Sequence, residues 1–253
     1  MSARVHPSAV VEPGAELGDD VVVGPFCHVG TGVELGAASC LLSHVVLLGP
    51  ARFGRNNRVY PFATLGAPPQ DRSWSGQPTR LEVGDDNVFR EQVTVHRGTI
   101  KGGGETRIGS RCLIMVGSHV AHDAVLGDDV VLTNLATLGG HVVIGAGAVL
   151  AGHVAVAPFV RIGRTSFLAG GARVERDVPP FVIAAGDRAR VRALNDVGLE
   201  RSGVPLESRH RLARAFRMIW RSGEPMARGL AAARAELYAD PYVAELLDFL
   251  ASP

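Results

Sequence analysis

Cysteine and bulky aromatic residues are scarce in this chain of 253 residues. It has three cysteines, two tryptophans and three tyrosines, against 31 glycines. Cys27, Cys40 and Cys112 form no CxxC or metal-binding spacing, and any disulfide pairing leaves one of them over, which favours a reducing compartment. Abundant glycine with few bulky side chains predicts many tight turns and few large core anchors, a composition typical of a repeat.

The chain also lacks a charge imbalance and long apolar runs. Its formal net charge is +1, which argues against a dedicated nucleic-acid or membrane-surface protein. No stretch approaches the roughly 18 apolar residues of a membrane span, and the first residues, MSARVHPSAVVEPG, lack the apolar core of a signal peptide. We therefore expect a cytoplasmic protein with no membrane span and no nucleic-acid partner.

Apolar residues recur at every sixth position through most of the chain. The series covers residues 5–65 and 83–95 and then, shifted by one residue, residues 108–174. A period of six fits neither an amphipathic helix nor an alternating strand. It is typical of a parallel β-helix of hexapeptide repeats, in which three hexads form one triangular coil and stacked coils bury a shared aliphatic column.

The repeat is interrupted twice and then ends, which divides the chain into two parts. The interruptions lie near residues 67–80 and 98–106, and the hexad stops at about residue 187. Residues 188–253 instead show helical spacing, with glycines at 203 and 223 and prolines before the helical runs. The sequence thus predicts a mainly β fold, a β-helix over residues 1–187, with a C-terminal α-helical cap over residues 188–253.

Titratable residues concentrate in SHVAHD, residues 118–123. In an 18-residue coil, residues 18 apart lie above one another at about 4.8 Å. His141 is then predicted to lie over Asp123, and Gly140 over His122. An unperturbed imidazole is largely neutral at pH 7, so we expect His122 to be a general base, oriented by Asp123 or by a carbonyl. The N–H of Gly140 is the candidate donor to an oxyanion.

Two further histidines, His96 and His119, are predicted to line the same edge. A single histidine at an outward turn position needs no function, but four histidines between residues 96 and 141 favour a site. Cys27, Cys112 and Ser118 occupy inward small positions of the hexad, so we do not expect a cysteine or serine nucleophile.

Longer motifs accompany the repeat: VGPFCHVG (residues 23–30), GQPTRLEVGDDNVFREQVTVHRGTIKGGG (76–104), HVAHDAVLGDDVVLTN (119–134), LGGHV (138–142), DVPPFVIAAGD (177–187) and MIWRSG in the cap. Through them the chain resembles the UDP-N-acetylglucosamine O-acyltransferase family along almost its whole length. The hexad alone is shared by many acyltransferases, whereas the combination of VTVHRGT, HVAHD and DVPPFVIAAG is specific. The resemblance implies a left-handed β-helix and a homotrimer whose sites lie between neighbouring prisms.

The resemblance also implies the reaction. A 3-hydroxyacyl group moves from acyl carrier protein to the 3-position of UDP-N-acetylglucosamine, the first step of lipid A biosynthesis. His122 deprotonates the sugar 3-hydroxyl, Asp123 supports it and the Gly140 amide stabilises the oxyanion. No cofactor and no metal are implied, because the acyl donor is carried on the phosphopantetheine of acyl carrier protein.

Further roles follow from the resemblance residue by residue. It implies a sugar-nucleotide site with Gln70, Asp71, His96 and His119, contacts to uracil or phosphate from Asn195 and Arg201, and an acyl groove lined by His141 and Gly170.

Three places depart from the family pattern. Ser73 stands where a lysine is usual, Ala157 and Pro158 replace a His-Gln pair, and His153 stands where an apolar residue is more common. They leave open an N-acyltransferase that uses a 3-amino sugar nucleotide or an acetyl-CoA donor.

The histidines themselves are compatible with two functions of a different class. The first is a trimeric zinc hydratase with His96, His119 and His122 as ligands. The second is a non-catalytic scaffold in which the histidines are dispensable.

Arginine is concentrated just after the repeat ends. Residues 188–221 contain nine arginines and three carboxylates. Such a surface attracts an acidic carrier protein, although a solvated basic helix face has the same composition. No aromatic platform for nucleic acid accompanies the arginines.

Overall fold

The computed structural model describes residues 2–252, which form a triangular prism of short parallel strands capped by helices. Sheet A contains β1 (Arg4–Val5), β4 (Val22–Val23), β7 (Cys40–Leu41), β10 (Arg58–Val59), β13 (Val88–Phe89), β16 (Leu113–Ile114), β19 (Val131–Leu132), β22 (Val149–Leu150), β25 (Phe167–Leu168), β27 (Val182–Ala185) and β28 (Arg190–Leu194). Sheet B contains β2 (Val10–Val11), β5 (His28–Val29), β8 (Val46–Leu47), β11 (Thr64–Ala67), β14 (Thr94–His96), β17 (His119–Val120), β20 (Thr137–Leu138), β23 (Ala155–Val156) and β26 (Arg173–Val174). Sheet C contains β3 (Glu16–Leu17), β6 (Val33–Leu35), β9 (Ala51–Phe53), β12 (Arg80–Val83), β15 (Glu105–Ile108), β18 (Val125–Leu126), β21 (Val143–Ile144) and β24 (Arg161–Ile162).

Each coil contributes one strand to each sheet, so strands three apart in the chain pair in parallel. The predicted 18-residue register is confirmed, for example by the pairing of Val120 with Leu138 and of Leu138 with Val156. Both Val120 and Leu138 are fully buried, because the second residue of each two-residue strand points into the prism. Burying one such aliphatic side chain contributes about 1.5 to 3 kcal/mol, and the repeat adds this in the coils that follow the first. The predicted left-handed β-helix is confirmed.

Turns at the three edges of the prism lead the chain from one sheet to the next. Each edge takes its name from the sheets it joins in chain order: the A–B edge, the B–C edge and the C–A edge. Many edge residues have a left-handed backbone, including Asp123 (φ 61°), His141 (φ 62°) and His153 (φ 60°). Residues 68–79 and 97–104, which leave the coil, both lie on the B–C edge. The second of these loops contains a 3₁₀ turn (Ile100–Gly102).

The cap consists of four helices, α1 (Asp196–Arg201), α2 (Leu206–Trp220), α3 (Met226–Leu237) and α4 (Pro241–Ala251). Asn195 caps α1 by accepting from Gly198 N, and Asp240 caps α4 ahead of Pro241. Before α1, strand β28 pairs antiparallel with β27, so sheet A continues beyond residue 187 into the cap. Among residues 2–252, no helix combines the length and apolarity that crossing a bilayer requires.

Candidate active site

His122 and Asp123 form a hydrogen-bonded pair at the B–C edge. His122 Nδ1 lies 2.7 Å from Asp123 Oδ2, and the side chains are 16% and 1% exposed. An ionised carboxylate only accepts hydrogen bonds, so the Nδ1 nitrogen carries the proton and Nε2 keeps its lone pair. The pair therefore has the geometry of an oriented general base.

The second interruption of the repeat is folded onto Asp123. Thr99 donates its backbone N–H to Asp123 Oδ1 and its hydroxyl to Oδ2, each over 2.7 Å. Asp123 N in turn donates to the hydroxyl of Thr106 over 2.8 Å. A Cβ at Gly102 would lie 2.0 Å from the carboxyl carbon of Asp123, so this approach requires glycine. The sequence analysis did not predict that Thr99, Thr106 and Gly102 contact Asp123, although the break in the hexad one coil before HVAHD was a signal.

The next coil places Gly140 and His141 against the pair, as the 18-residue spacing predicted. His141 N donates to His122 O over 3.0 Å, and His141 Nε2 lies 3.5 Å from Asp123 Oδ2. A Cβ at Gly140 would lie 2.6 Å from His122 Cε1, so a side chain there would displace the imidazole. Gly140 is buried, and its N–H has no hydrogen-bond partner within residues 2–252.

An exposed aromatic ring continues this column. Phe159 stacks on His141, with ring centroids 4.4 Å apart and an interplanar angle of 6°. The Phe159 side chain is 70% exposed. Ala157 and Pro158 lie in the same turn, with Pro158 packed against Gly139. His153 instead lies exposed at the A–B edge, so this departure from the family pattern is remote from the His122 pair.

His96 and His119 form a second histidine pair on the outer face of sheet B. Their ring centroids are 5.2 Å apart, and His119 Nδ1 is 2.8 Å from Thr94 Oγ1. Burial, with the neighbouring His96 and His122, lowers the pKa of His119 to about 4. Burial also lowers the pKa of His96, so both rings are neutral at pH 7. His122 contributes to both pKa shifts, which indicates that the His96–His119 pair lies close to the His122–Asp123 pair.

The first interruption brings Asp71 towards the same edge. Asp71 Oδ1 accepts from Ser73 N over 2.7 Å, and hydrogen bonds from the backbone and the side chain of Ser73, with weaker contributions from Lys101 and His122, hold the pKa of Asp71 below its usual range. Ser73 thus fixes the Asp71 carboxylate within the loop. Gln70 is exposed in the same loop.

Three of the expected site residues lie elsewhere on the chain. Asn195 and Arg201 line a pocket of about 750 Å³ at the C–A edge. The Asn195 side chain is already used there, since it donates to Thr165 O over 2.8 Å and caps α1. Gly170 lies exposed at the A–B edge. The fold of the single chain therefore does not bring Asn195, Arg201 and Gly170 to His122.

Other nucleophiles and ligand sets fit the geometry less well. Burial raises the pKa of the Cys112 thiol to about 11, and the buried Ser118 hydroxyl donates to Thr133 O. Within residues 2–252, the one His, Cys, Asp or Glu group whose ligating atoms converge within 4.8 Å is His122, Asp123 and His141. The zinc hydratase, which needs His96 and His119 as ligands, is therefore not supported by the geometry.

Known proteins resemble this chain in both sequence and structure. The family model "Udp N-acetylglucosamine O-acyltransferase; Domain 2" matches residues 177–253. The acyl-[acyl-carrier-protein]--UDP-N-acetylglucosamine O-acyltransferase of Saccharophagus degradans is 47% identical over 219 residues, which are 87% of this chain and 85% of that protein.

Solved structures agree with this match. The UDP-N-acetylglucosamine O-acyltransferase of Moraxella catarrhalis superposes with a TM-score of 0.93 at 36% identity, over 98% of this chain and 96% of that one. The UDP-N-acetylglucosamine acyltransferase of Bacteroides fragilis gives 0.94 at 32% identity, over 98% and 97%. The resemblance predicted from the motifs is confirmed, and the chain belongs to the UDP-N-acetylglucosamine O-acyltransferase family.

Proposed function

We propose that this protein transfers a 3-hydroxyacyl group from acyl carrier protein to the 3-hydroxyl of UDP-N-acetylglucosamine, the first step of lipid A biosynthesis. The observation that carries the proposal is the His122–Asp123 pair, hydrogen-bonded over 2.7 Å beneath the unpaired N–H of Gly140. Family membership supports the donor and acceptor classes, since the related protein of S. degradans is named as an O-acyltransferase that acts on UDP-N-acetylglucosamine with an acyl carrier protein thioester.

The reaction balances with the residues at this edge. His122 Nε2 takes the proton of the sugar hydroxyl while the oxygen attacks the thioester carbonyl. The carbonyl oxygen becomes an oxyanion, to which Gly140 N–H donates. Collapse of the intermediate breaks the carbon–sulfur bond, and the departing phosphopantetheine thiolate takes the proton from the His122 imidazolium. Asp123 stabilises the imidazolium between these two transfers. A positioned base contributes about 10² to 10⁴ in rate.

The surrounding residues suit a sugar nucleotide. His96 and His119, both neutral at pH 7, offer hydrogen bonds to hydroxyls without attracting a counterion. Asp71 keeps its charge beside the same edge.

Asn195, Arg201 and Gly170 join this chemistry only if a neighbouring subunit supplies them, which supports a homotrimer with sites between prisms. The compartment that we propose for this reaction is the cytoplasm, which the three free cysteines favour. No cofactor or metal takes part in the proposed steps.

The arginine-rich segment supports docking of an acidic carrier protein on a narrower surface than composition suggests. Arg188, Arg209, Arg211 and Arg214 are paired with carboxylates. The arginines with no carboxylate partner within residues 2–252 are Arg190, Arg192, Arg201, Arg217 and Arg221. Arg221 donates to Arg192 O over 2.7 Å, so the end of α2 and strand β28 form one basic surface. This surface would steer an acidic carrier most strongly at low salt.

A direct comparison of substrates tests the proposal. Purified protein receives UDP-N-acetylglucosamine or its 3-amino analogue, each with 3-hydroxyacyl or acetyl thioesters of acyl carrier protein or coenzyme A. We expect transfer from the 3-hydroxyacyl carrier thioester to the 3-hydroxyl. Preferred transfer to the 3-amino analogue, from either donor, would instead establish the N-acyltransferase, which Ser73, Ala157 and Pro158 leave open as departures from the family pattern. No transfer in any combination would overturn both.

A further inference from the structure

We propose that Thr99 is a positioning residue that fixes the orientation of Asp123 and, through it, the direction of the His122 base. The proposal rests on the proposed function, because His122 matters as a base only there. Its basis is geometric: a single residue binds both oxygens of the carboxylate, with its N–H on Oδ1 and its hydroxyl on Oδ2, each at 2.7 Å.

Two imidazoles lie within reach of the same carboxylate oxygen. Asp123 Oδ2 lies 2.7 Å from His122 Nδ1 and 3.5 Å from His141 Nε2. A carboxylate held at one oxygen alone can turn about its Cβ–Cγ bond and exchange one ring for the other. The Thr99 hydroxyl holds the second oxygen, and so keeps Oδ2 on His122 rather than on His141.

The second interruption of the repeat is built around this contact. The Thr99 hydroxyl also accepts from Gly102 N over 3.3 Å, which closes the 3₁₀ turn above the carboxylate. Gly102 approaches so closely that no side chain fits between the turn and Asp123. The Asp123 side chain is consequently buried, and the turn excludes the water that would compete for its oxygens.

Thr99→Val tests the hydroxyl, and Thr79→Val is its matched control. Both threonines are 3% exposed, but the Thr79 hydroxyl has no hydrogen-bond partner within residues 2–252. A hydrogen bond to a charged group is typically worth enough to change a rate about 10- to 100-fold. We therefore expect Thr99→Val to lower kcat about 10- to 100-fold with both KM values little changed, and to displace the acidic limb of the pH–kcat profile.

Thr99→Ser keeps the hydroxyl and is expected to restore kcat and the profile, while Thr79→Val retains both. Wild-type kcat and pH profile in Thr99→Val would overturn the proposal. So would a folded Thr99→Ser variant that is as impaired as Thr99→Val.

Crystal structures of wild type, Thr99→Val and Thr99→Ser separate this proposal from the proposed function, because they need no activity. We expect the Asp123 carboxylate to turn away from His122 Nδ1 in Thr99→Val and to keep its wild-type place in Thr99→Ser. An undisturbed carboxylate in Thr99→Val overturns the positioning role. Failure of the wild type to transfer any acyl group overturns the proposed function but leaves this structural comparison decisive.

Discussion

The molecule holds two histidine pairs of nearly the same geometry but different chemistry. The rings of His96 and His119 are 5.2 Å apart at 75°, and those of His122 and His141 are 5.4 Å apart at 88°. The His96–His119 pair has a hydroxyl partner, Thr94, whereas the His122–His141 pair shares the buried carboxylate of Asp123.

The carboxylate decides what each pair can do. Within residues 2–252, no carboxylate is hydrogen-bonded to His119 or His96, and burial keeps both rings neutral, so they serve as hydrogen-bonding groups. Beside Asp123, an imidazole can accept a proton and have its new charge compensated within the site. Ring spacing alone therefore does not identify a catalytic histidine, whereas the buried acid does.

The largest expected effect separates the two pairs directly. His122→Ala removes the base and should lower kcat about 10²- to 10⁴-fold with the fold intact. His119→Ala removes a neutral hydrogen-bonding group and should act mainly on KM for the sugar nucleotide, by about tenfold. Steady-state kinetics of both variants measure this difference. An equal loss of kcat in the two variants would remove the distinction between the pairs.

Replacing Asp123 should leave the His122–His141 pair without a negative partner, like the His96–His119 pair. Asp123→Asn removes the charge that compensates the imidazolium, and we expect kcat to fall about 100-fold or more. Asp128→Asn is the matched control, since Asp128 bonds Ser110 N and Arg111 at the C–A edge. Its kcat should stay within about twofold of wild type, and a comparable fall there would point to general destabilisation rather than chemistry.

The neutral pair should reveal itself in the pH dependence of stability. The pKa of His119 is about 4 in the folded protein, against about 6.5 when unfolded. The unfolded chain thus binds this proton more readily, so the free energy of unfolding is highest above pH 6.5 and falls as the pH drops towards 4.

The ring is only partly buried, which limits the loss to about 1 to 2 kcal/mol after solvent screening. Urea unfolding at pH 7 and at pH 4.5, at one protein concentration, measures it. His119→Asn should lose correspondingly less stability on acidification, and an unchanged pH dependence in this variant would contradict the assignment.

The six-residue period alone predicts the β-helix and the stacking of Gly140 and His141 on His122 and Asp123. Because residues 18 apart stack, the positions of Gly140 and His141 over His122 and Asp123 follow from counting alone. The interruptions have no period, so the contacts of Thr99 and Gly102 with Asp123 cannot be predicted from residue spacing. The second interruption also shifts the register, which pairs Thr94 with His119 at a spacing of 25 rather than 18.

The hexapeptide pattern likewise does not predict contacts between segments that are distant in the chain. A charge count over residues 188–221 leaves out Glu236 of α3, which pairs with Arg214, and Asp240, the N-cap of α4, which pairs with Arg211. The lowered pKa of His119 depends on burial that a single hexad does not report. Packing across coils and helices, rather than local propensity, supplies this information.

The smallest effect that we predict concerns Phe159, whose ring stacks on His141. Phe159→Ala removes a stacking contact worth about 0.5 to 1.5 kcal/mol, which frees His141 to compete for Asp123 Oδ2 and should lower kcat/KM about 2- to 10-fold. Phe62→Ala is the matched control, because Phe62 is similarly exposed and contacts His44 at 5.0 Å, at the A–B edge. Its kcat/KM should stay within about twofold of wild type, because no carboxylate in the described part of the chain is hydrogen-bonded to His44. Equal losses in the two variants would mean that exposed aromatic surface, rather than control of the His141 ring, is what the reaction needs.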